Sequence, residues 1–256
     1  MSNTPEAPPA VKADKVAPGT YYGRGIPYLH IDGYPGRIIA IEGTDGVGRS
    51  TQIQLLREWL EVKGYGVIET GWTRSPLMQP TIELAKSSNT LNKLTFTMLY
   101  ATDFADRLLY KIIPPLKAGM IVLADRYAYT AFARDATRGV DRQWVRELYS
   151  FAVRPDLALY FRVPIDVSVD RLMARRVKLK FYEAGLDLGW STNPAESFRL
   201  FQGKVLDEYD HLVQEYGMEV VDASSSIMEQ QRTVRTLIAQ QVRMTNVETS
   251  DDEPVV

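Results

Sequence analysis

The chain has no cysteine among its 256 residues, which excludes disulfides and every cysteine-based metal or catalytic site. Its two histidines, His30 and His211, stand far apart without neighbouring ligand residues, so neither reads as a metal ligand or a catalytic base. No apolar run approaches the roughly 18 residues of a membrane span, and the Ser/Pro/Glu-containing N-terminus does not form a signal peptide. Cytoplasm is the resulting expectation. An excess of either charge is also missing. Thirty Lys and Arg face 32 Asp and Glu, for a formal net charge of -2, and no basic block offers a nucleic-acid surface. With 45% hydrophobic and 24% charged residues, the chain has the composition of an ordinary soluble enzyme. Its length suits one α/β domain with insertions, or at most two domains.

Three regions follow from composition. Residues 1 to 36 form an N-terminal arm. Its first 18 or so residues are rich in Pro, Ala, Lys and Glu without periodicity and read as disordered. Residues 21–36 are aromatic and turn-rich, and are expected to lie against the core or a partner. Residues 37–244 are the folded domain. Residues 245–256, with Glu248 and Asp251-Asp252-Glu253, form an acidic disordered tail.

Within the domain, apolar strands at 37–42, 66–70, 120–124, 157–162 and 218–222 alternate with helical patterns. That alternation predicts an α/β fold, a parallel five-stranded sheet with helices on both faces. Ile53, Leu56 and Leu60 share one face of the first helix. Further helices are expected at 92–117, 141–152, 166–176, 195–216 and 226–242. In such sheets ligands bind beyond the carboxyl ends of the strands.

The run Gly43-Thr44-Asp45-Gly46-Val47-Gly48-Arg49-Ser50-Thr51 sits between the first strand and the first helix, the context of a phosphate-binding P-loop. Gly43, Gly46 and Gly48 let backbone N–H groups turn inward on an anion, and the helix adds its positive end. Ser50 supplies a hydroxyl for Mg²⁺. Arg49 occupies the usual lysine position and carries the charge for the β- and γ-phosphates of ATP. Arginine is planar and bulkier than an ammonium, so the exchange is not neutral. Asp125-Arg126-Tyr127 follows the third strand. Its carboxylate is suited to Mg²⁺ through water, and its arginine to a phosphate. Thr73-Arg74-Ser75-Pro76 follows the second strand. Arg171, Arg175, Arg176, Lys178 and Lys180 lead into a Gly-containing stretch, read as a lid at about 175–193 closing over ATP.

Together these segments resemble the thymidylate kinases. The resemblance is carried by Ile41–Gln52, by Leu-Ala-Asp-Arg-Tyr-Ala-Tyr-Thr-Ala at 123–131 and by Arg-Pro-Asp-Leu-Ala-Leu-Tyr-Phe-Arg-Val-Pro at 154–164. Phe181-Tyr182-Glu183 and Val-Val-Asp-Ala-Ser at 220–224 add to it. It implies a P-loop NTPase fold, ATP-dependent phosphorylation of dTMP and usually a homodimer. By position, Asp45 matches the carboxylate meeting the acceptor's 3′-hydroxyl. Arg74 and Arg126 match the arginines holding its phosphate, and Tyr100 matches the aromatic residue stacking on thymine. Arg171 and Arg175 match the arginine-rich helix entering the lid. The chain departs from the pattern at Arg49, at Phe104 where an arginine usually contacts the thymine edge, and at Arg134-Asp135 where Tyr-Gln is usual. Arg107, one turn after Phe104, is the candidate to restore the missing guanidinium. A kinase for another nucleotide or nucleoside, or a non-catalytic nucleotide-binding protein, are the competing readings.

Overall fold

The computed structural model describes residues 19–88, 91–174 and 179–242. Five strands, β1 (Arg37–Gly43), β2 (Val67–Gly71), β3 (Ile121–Asp125), β4 (Leu157–Arg162) and β5 (Glu219–Asp222), form one sheet in the order β2-β3-β1-β4-β5, every pair parallel. Parallel strands need crossovers, and the helices between them cover both faces. They are α1 (Arg49–Val62), α2 (Gln79–Ser87), α3 (Lys93–Arg107), α4 (Ile113–Lys117), α5 (Ala128–Thr137), α6 (Arg142–Leu148), α7 (Ile165–Ala174), α8 (Pro194–Tyr216) and α9 (Ile227–Gln241).

The strand period of two assigns the core. Ile39 and Ile41 of β1, with Ile121, Leu123, Leu157 and Leu159, pack on Ile53, Leu56 and Leu60 of α1 and Val234 and Ile238 of α9. Ile38 and Ala40, with Val122, Ala124, Ala158 and Tyr160, face the other way onto α3, α5, α6 and α8. The aromatic part of the N-terminal arm joins this second layer. Tyr22 sits edge-on to Tyr129, Phe132 and Tyr216 at 5.5–5.9 Å, and Tyr21 bridges Val153.

The helix expected over 92–117 is interrupted. α3 passes into a π-helical turn, Leu108–Ile112, and α4 restarts with Pro114 and Pro115 in its first turn. Prolines donate no backbone N–H and crowd the preceding turn, so regular i→i−4 bonding cannot continue through them. The helix expected over 141–152 is shorter, at Arg142–Leu148. Arg175, Arg176 and Lys178, the basic entrance to the expected lid, lie outside the described residues, as does the acidic tail.

Candidate active site

The P-loop leaves β1 at Gly43 (φ 146°) and reaches α1 through Gly46 (φ 87°) and Gly48 (φ 97°), conformations that side-chain-bearing residues rarely adopt. A Cβ on Gly43 would come within 2.6 Å of the Phe161 carbonyl oxygen. Arg49, the first residue of α1, turns back across the loop. Its Nη1 donates to the carbonyls of Gly43 and Thr44, both at 2.7 Å, and its Nε to Asp125 Oδ1 at 2.9 Å. The guanidinium thus laces the loop to the end of β3, several acceptors at once where an ammonium has three donors and no plane.

The polar centre lies beside this loop. Asp45 is ion-paired to Arg126 and, at 2.6 Å, to Arg134, and accepts from Gln202 Nε2 at 3.1 Å. Burial pushes the Asp45 carboxyl upward, but Arg134, Arg126 and Arg49 outweigh it and hold it well below the usual carboxylate range. Arg126 is buried and adopts a left-handed backbone (φ 72°), strain that the surrounding contacts must sustain. Its neighbour Tyr127 donates its N–H to Glu42 Oε1 at 2.7 Å. The other Glu42 oxygen accepts from Thr130 and Tyr209, both at 2.7 Å. Glu42 is fully buried, and burial raises its carboxyl despite the Arg126 charge and these bonds. It fixes the turn that presents Arg126.

Two clefts open from this centre. The first is lined by Gly46, Val47, Gly48, Thr51 and Arg171, closed by Ser225 and Gln230 from the region after β5. Arg171 is anchored there by a 3.1 Å bond to the Ala223 carbonyl. The second is aromatic, with Trp72, Phe96, Tyr100 and Tyr182 as walls and Lys86, Arg134, Asp135, Arg138 and Glu183 as its polar groups. Tyr100 stacks on Trp72 at 5.7 Å. Ser50, Arg74 and Asp125 share a third groove along β2 and β3. Arg74 is exposed there and follows Thr73, whose φ is 55°.

Phe104 and Arg107, expected as acceptor contacts, are not brought to the lining of these clefts. Both are fully buried and line none of the clefts above. Phe104 packs edge-on to Tyr127 and Tyr149 at 5.0 and 5.5 Å. Arg107 pairs with Asp103 at 2.8 Å and donates to Thr70. They lie one layer behind Trp72, which both contact. Helical spacing gave their shared side of α3 but not their depth. Phe104→Arg therefore buries an extra cation without a partner, and a melting temperature well below that of the parent is expected by calorimetry. An unchanged melting temperature would contradict this placement.

Arg138 escaped the sequence reading although it follows Arg134 by four residues. It is buried, donates to Asp187 and to the Tyr182 carbonyl at 2.8 Å each, and lies over Phe96 and Phe201 at 4.9 and 4.5 Å. It ties the stretch 179–188 onto α5. Lys86, Glu42 and Gln202 were also missed, since their partners are distant in sequence.

The family model for thymidylate kinase matches residues 41–234, a span holding the P-loop, Asp125-Arg126-Tyr127 and both clefts. A probable thymidylate kinase 2 of Saccharolobus solfataricus is 36% identical over 208 residues, 81% of this chain and 97% of that protein. A thymidylate kinase of Desulfotalea psychrophila is 31% identical over 211 residues, 82% of this chain and 98% of that one. A probable thymidylate kinase of Thermococcus gammatolerans is 30% identical over 217 residues, 81% and 98% respectively. With this span and this site, the chain belongs to the thymidylate kinase family, nucleoside monophosphate kinases that phosphorylate dTMP with ATP.

Proposed function

We propose that the aromatic cleft takes the base of dTMP, that the P-loop cleft takes ATP, and that the γ-phosphoryl group passes between them across Asp45 and Arg126. The observation that carries this reading is the Asp45 hub. One P-loop carboxylate is tied to Arg126 at the end of β3 and to Arg134 in the wall of the aromatic cleft. Tyr100 stacks on the pyrimidine, Asp45 meets the sugar 3′-hydroxyl, and Arg74 and Arg126 hold the acceptor phosphate. Gly43, Thr44, Gly46, Val47, Gly48, Thr51 and Arg49 cradle the donor phosphates through backbone N–H groups and the one guanidinium. Phosphoryl transfer of this kind is positioning and charge stabilisation, with little for a base to do.

Ser50 and Asp125 offer hydroxyl and carboxylate oxygens in one groove, a hard donor set of the type Mg²⁺ takes together with substrate phosphates. Bound there, Mg²⁺ would neutralise charge developing on the phosphate oxygens. Arg171, already in the donor cleft, supports ATP binding, and Arg175 is the second cation assigned to it. Limited trypsinolysis should cut within about 176–193 in the free protein, with ATP plus dTMP protecting the segment. Equal resistance with and without ligands would make this stretch a static insertion. A homodimer is supported by Leu94, Met98 and Leu109, apolar residues 39–53% exposed on α3 and the π-helical turn that continues it. Light scattering on the purified protein reads the mass directly. An ATP-consumption screen over the common nucleoside monophosphates, with dTMP expected to give the fastest turnover, tests the functional reading itself.

A further inference from the structure

Asp135 stands where the thymidylate kinase pattern it resembles has an amide, and its surroundings are unusual for a carboxylate. It is only 4% exposed, lines the aromatic cleft, and its Oδ2 is buried without a hydrogen-bond partner. Two arginines flank it on α5 and both pair elsewhere, although Arg134 Nε is itself buried without a partner. Arg134 is paired with Asp45, and Arg138 with Asp187 and the Tyr182 carbonyl. Among the described residues no ion pair joins Asp135 to either. α3 contributes Thr97 and Tyr100 to its surroundings, and α2 contributes Lys86, whose ammonium lies 3.3 Å from the Tyr100 hydroxyl. Tyr149, at the end of α6, adds a buried hydroxyl that is itself without a partner, and the turn beside Tyr182 adds Glu183. Burial pushes the Asp135 carboxyl up to about 7, with Arg138, Thr97 and Arg134 opposing the shift.

We propose that Asp135 reads the acceptor pyrimidine as a neutral carboxylic acid, its hydroxyl donating to the base O4 while its carbonyl oxygen accepts from N3–H. This inference rests on the aromatic cleft being the acceptor-base site. A thymine edge presents a donor, N3–H, beside an acceptor, O4. An ionised carboxylate has acceptors only, so one of its oxygens would face the O4 lone pairs, and a buried, unmatched polar pair is costly. The protonated group has one donor and one acceptor and satisfies both. Burial is what lets the proton stay, against the charges of Arg138 and Arg134, neither of which forms an ion pair with Asp135.

The test is the Michaelis constant for dTMP between about pH 5.5 and 8.5, at saturating ATP, in the parent and in Asp135→Asn, whose amide cannot titrate. The parent value should rise above about pH 7, approaching tenfold per pH unit, while the Asn variant shows no such rise. The acceptor phosphate gains charge near pH 6 and should tighten binding to arginines, so its own titration works in the opposite direction. A parent value that stays flat or falls with pH overturns the proposal, even if the variant does not fold. Parallel profiles in parent and variant overturn it too. Stability gives a second readout. A carboxyl raised in the fold contributes stability present below its ordinary range and lost as pH rises to about 7. Asp135→Asn should therefore gain melting temperature relative to the parent as pH rises from about 4 to 7. Absence of dTMP turnover at every pH, with ATP still bound, would instead refute the assignment of the acceptor.

Discussion

Arg49→Ala should lower turnover with saturating ATP and dTMP by about 100- to 1,000-fold, the usual effect of losing one preorganised group that stabilises charge in the transition state. Two losses combine. The guanidinium is the only cation on the P-loop itself, and its bonds to Gly43, Thr44 and Asp125 hold the loop in register with the end of β3. Arg49→Lys keeps the charge and should remain active. The ammonium cannot reproduce the planar fork, so the loop should be less firmly laced. The readout is steady-state kinetics together with the melting temperature of each variant. An Arg49→Ala protein as fast as its parent would show that this residue is not the donor-phosphate cation.

Arg126→Ala should be at least as damaging to use of the acceptor. Arg126 is buried, ion-paired to Asp45, and bonded to Thr130 at 3.3 Å. Breaking one side of a buried ion pair typically costs about 3–5 kcal/mol, because the other charge stays behind. Arg134 still partners Asp45 in the variant, which places the expectation at the lower end of that range. That cost is to the fold; separately, losing the guanidinium that holds the acceptor phosphate should lower kcat/KM for dTMP roughly 100- to 1,000-fold, with a smaller change in the Michaelis constant for ATP. An unchanged kcat/KM for dTMP would remove Arg126 from the acceptor site.

Both residues were legible in the sequence because their signals are local. A P-loop is nine consecutive residues, and Asp125-Arg126 directly follows an apolar strand. The five strands were legible for a related reason. Parallel strands buried on both faces read as unbroken apolar runs, and β1 to β5 fall within one residue of their expected positions. α5 was hidden by the same burial. Every residue from Ala128 to Ala133 is buried, and the polar positions Thr130, Arg134 and Thr137 of this ten-residue helix are too few to set it off from the apolar run of β3. α2 was hidden for the opposite reason, since Ile82 is its only buried residue and leaves no apolar stripe. Depth was the harder quantity. Phe104 and Arg107 share a side of α3 with the cleft-lining Tyr100, yet Trp72 from beyond β2 interposes itself between them and the cleft. The Glu42–Tyr209 bond spans 167 residues, and the contacts of Asp45 with Arg134 and Gln202 span 89 and 157. Pairings of that kind arise only when the sheet assembles α5 and α8 over the end of β1, so no motif records them.

Chromatographic product analysis with ATP, Mg²⁺ and dTMP tests the central claim most directly. The account predicts ADP and dTDP appearing in equal amounts, with no dTDP when Mg²⁺ is chelated. Consumption of another nucleoside monophosphate while dTMP is returned unchanged would contradict it.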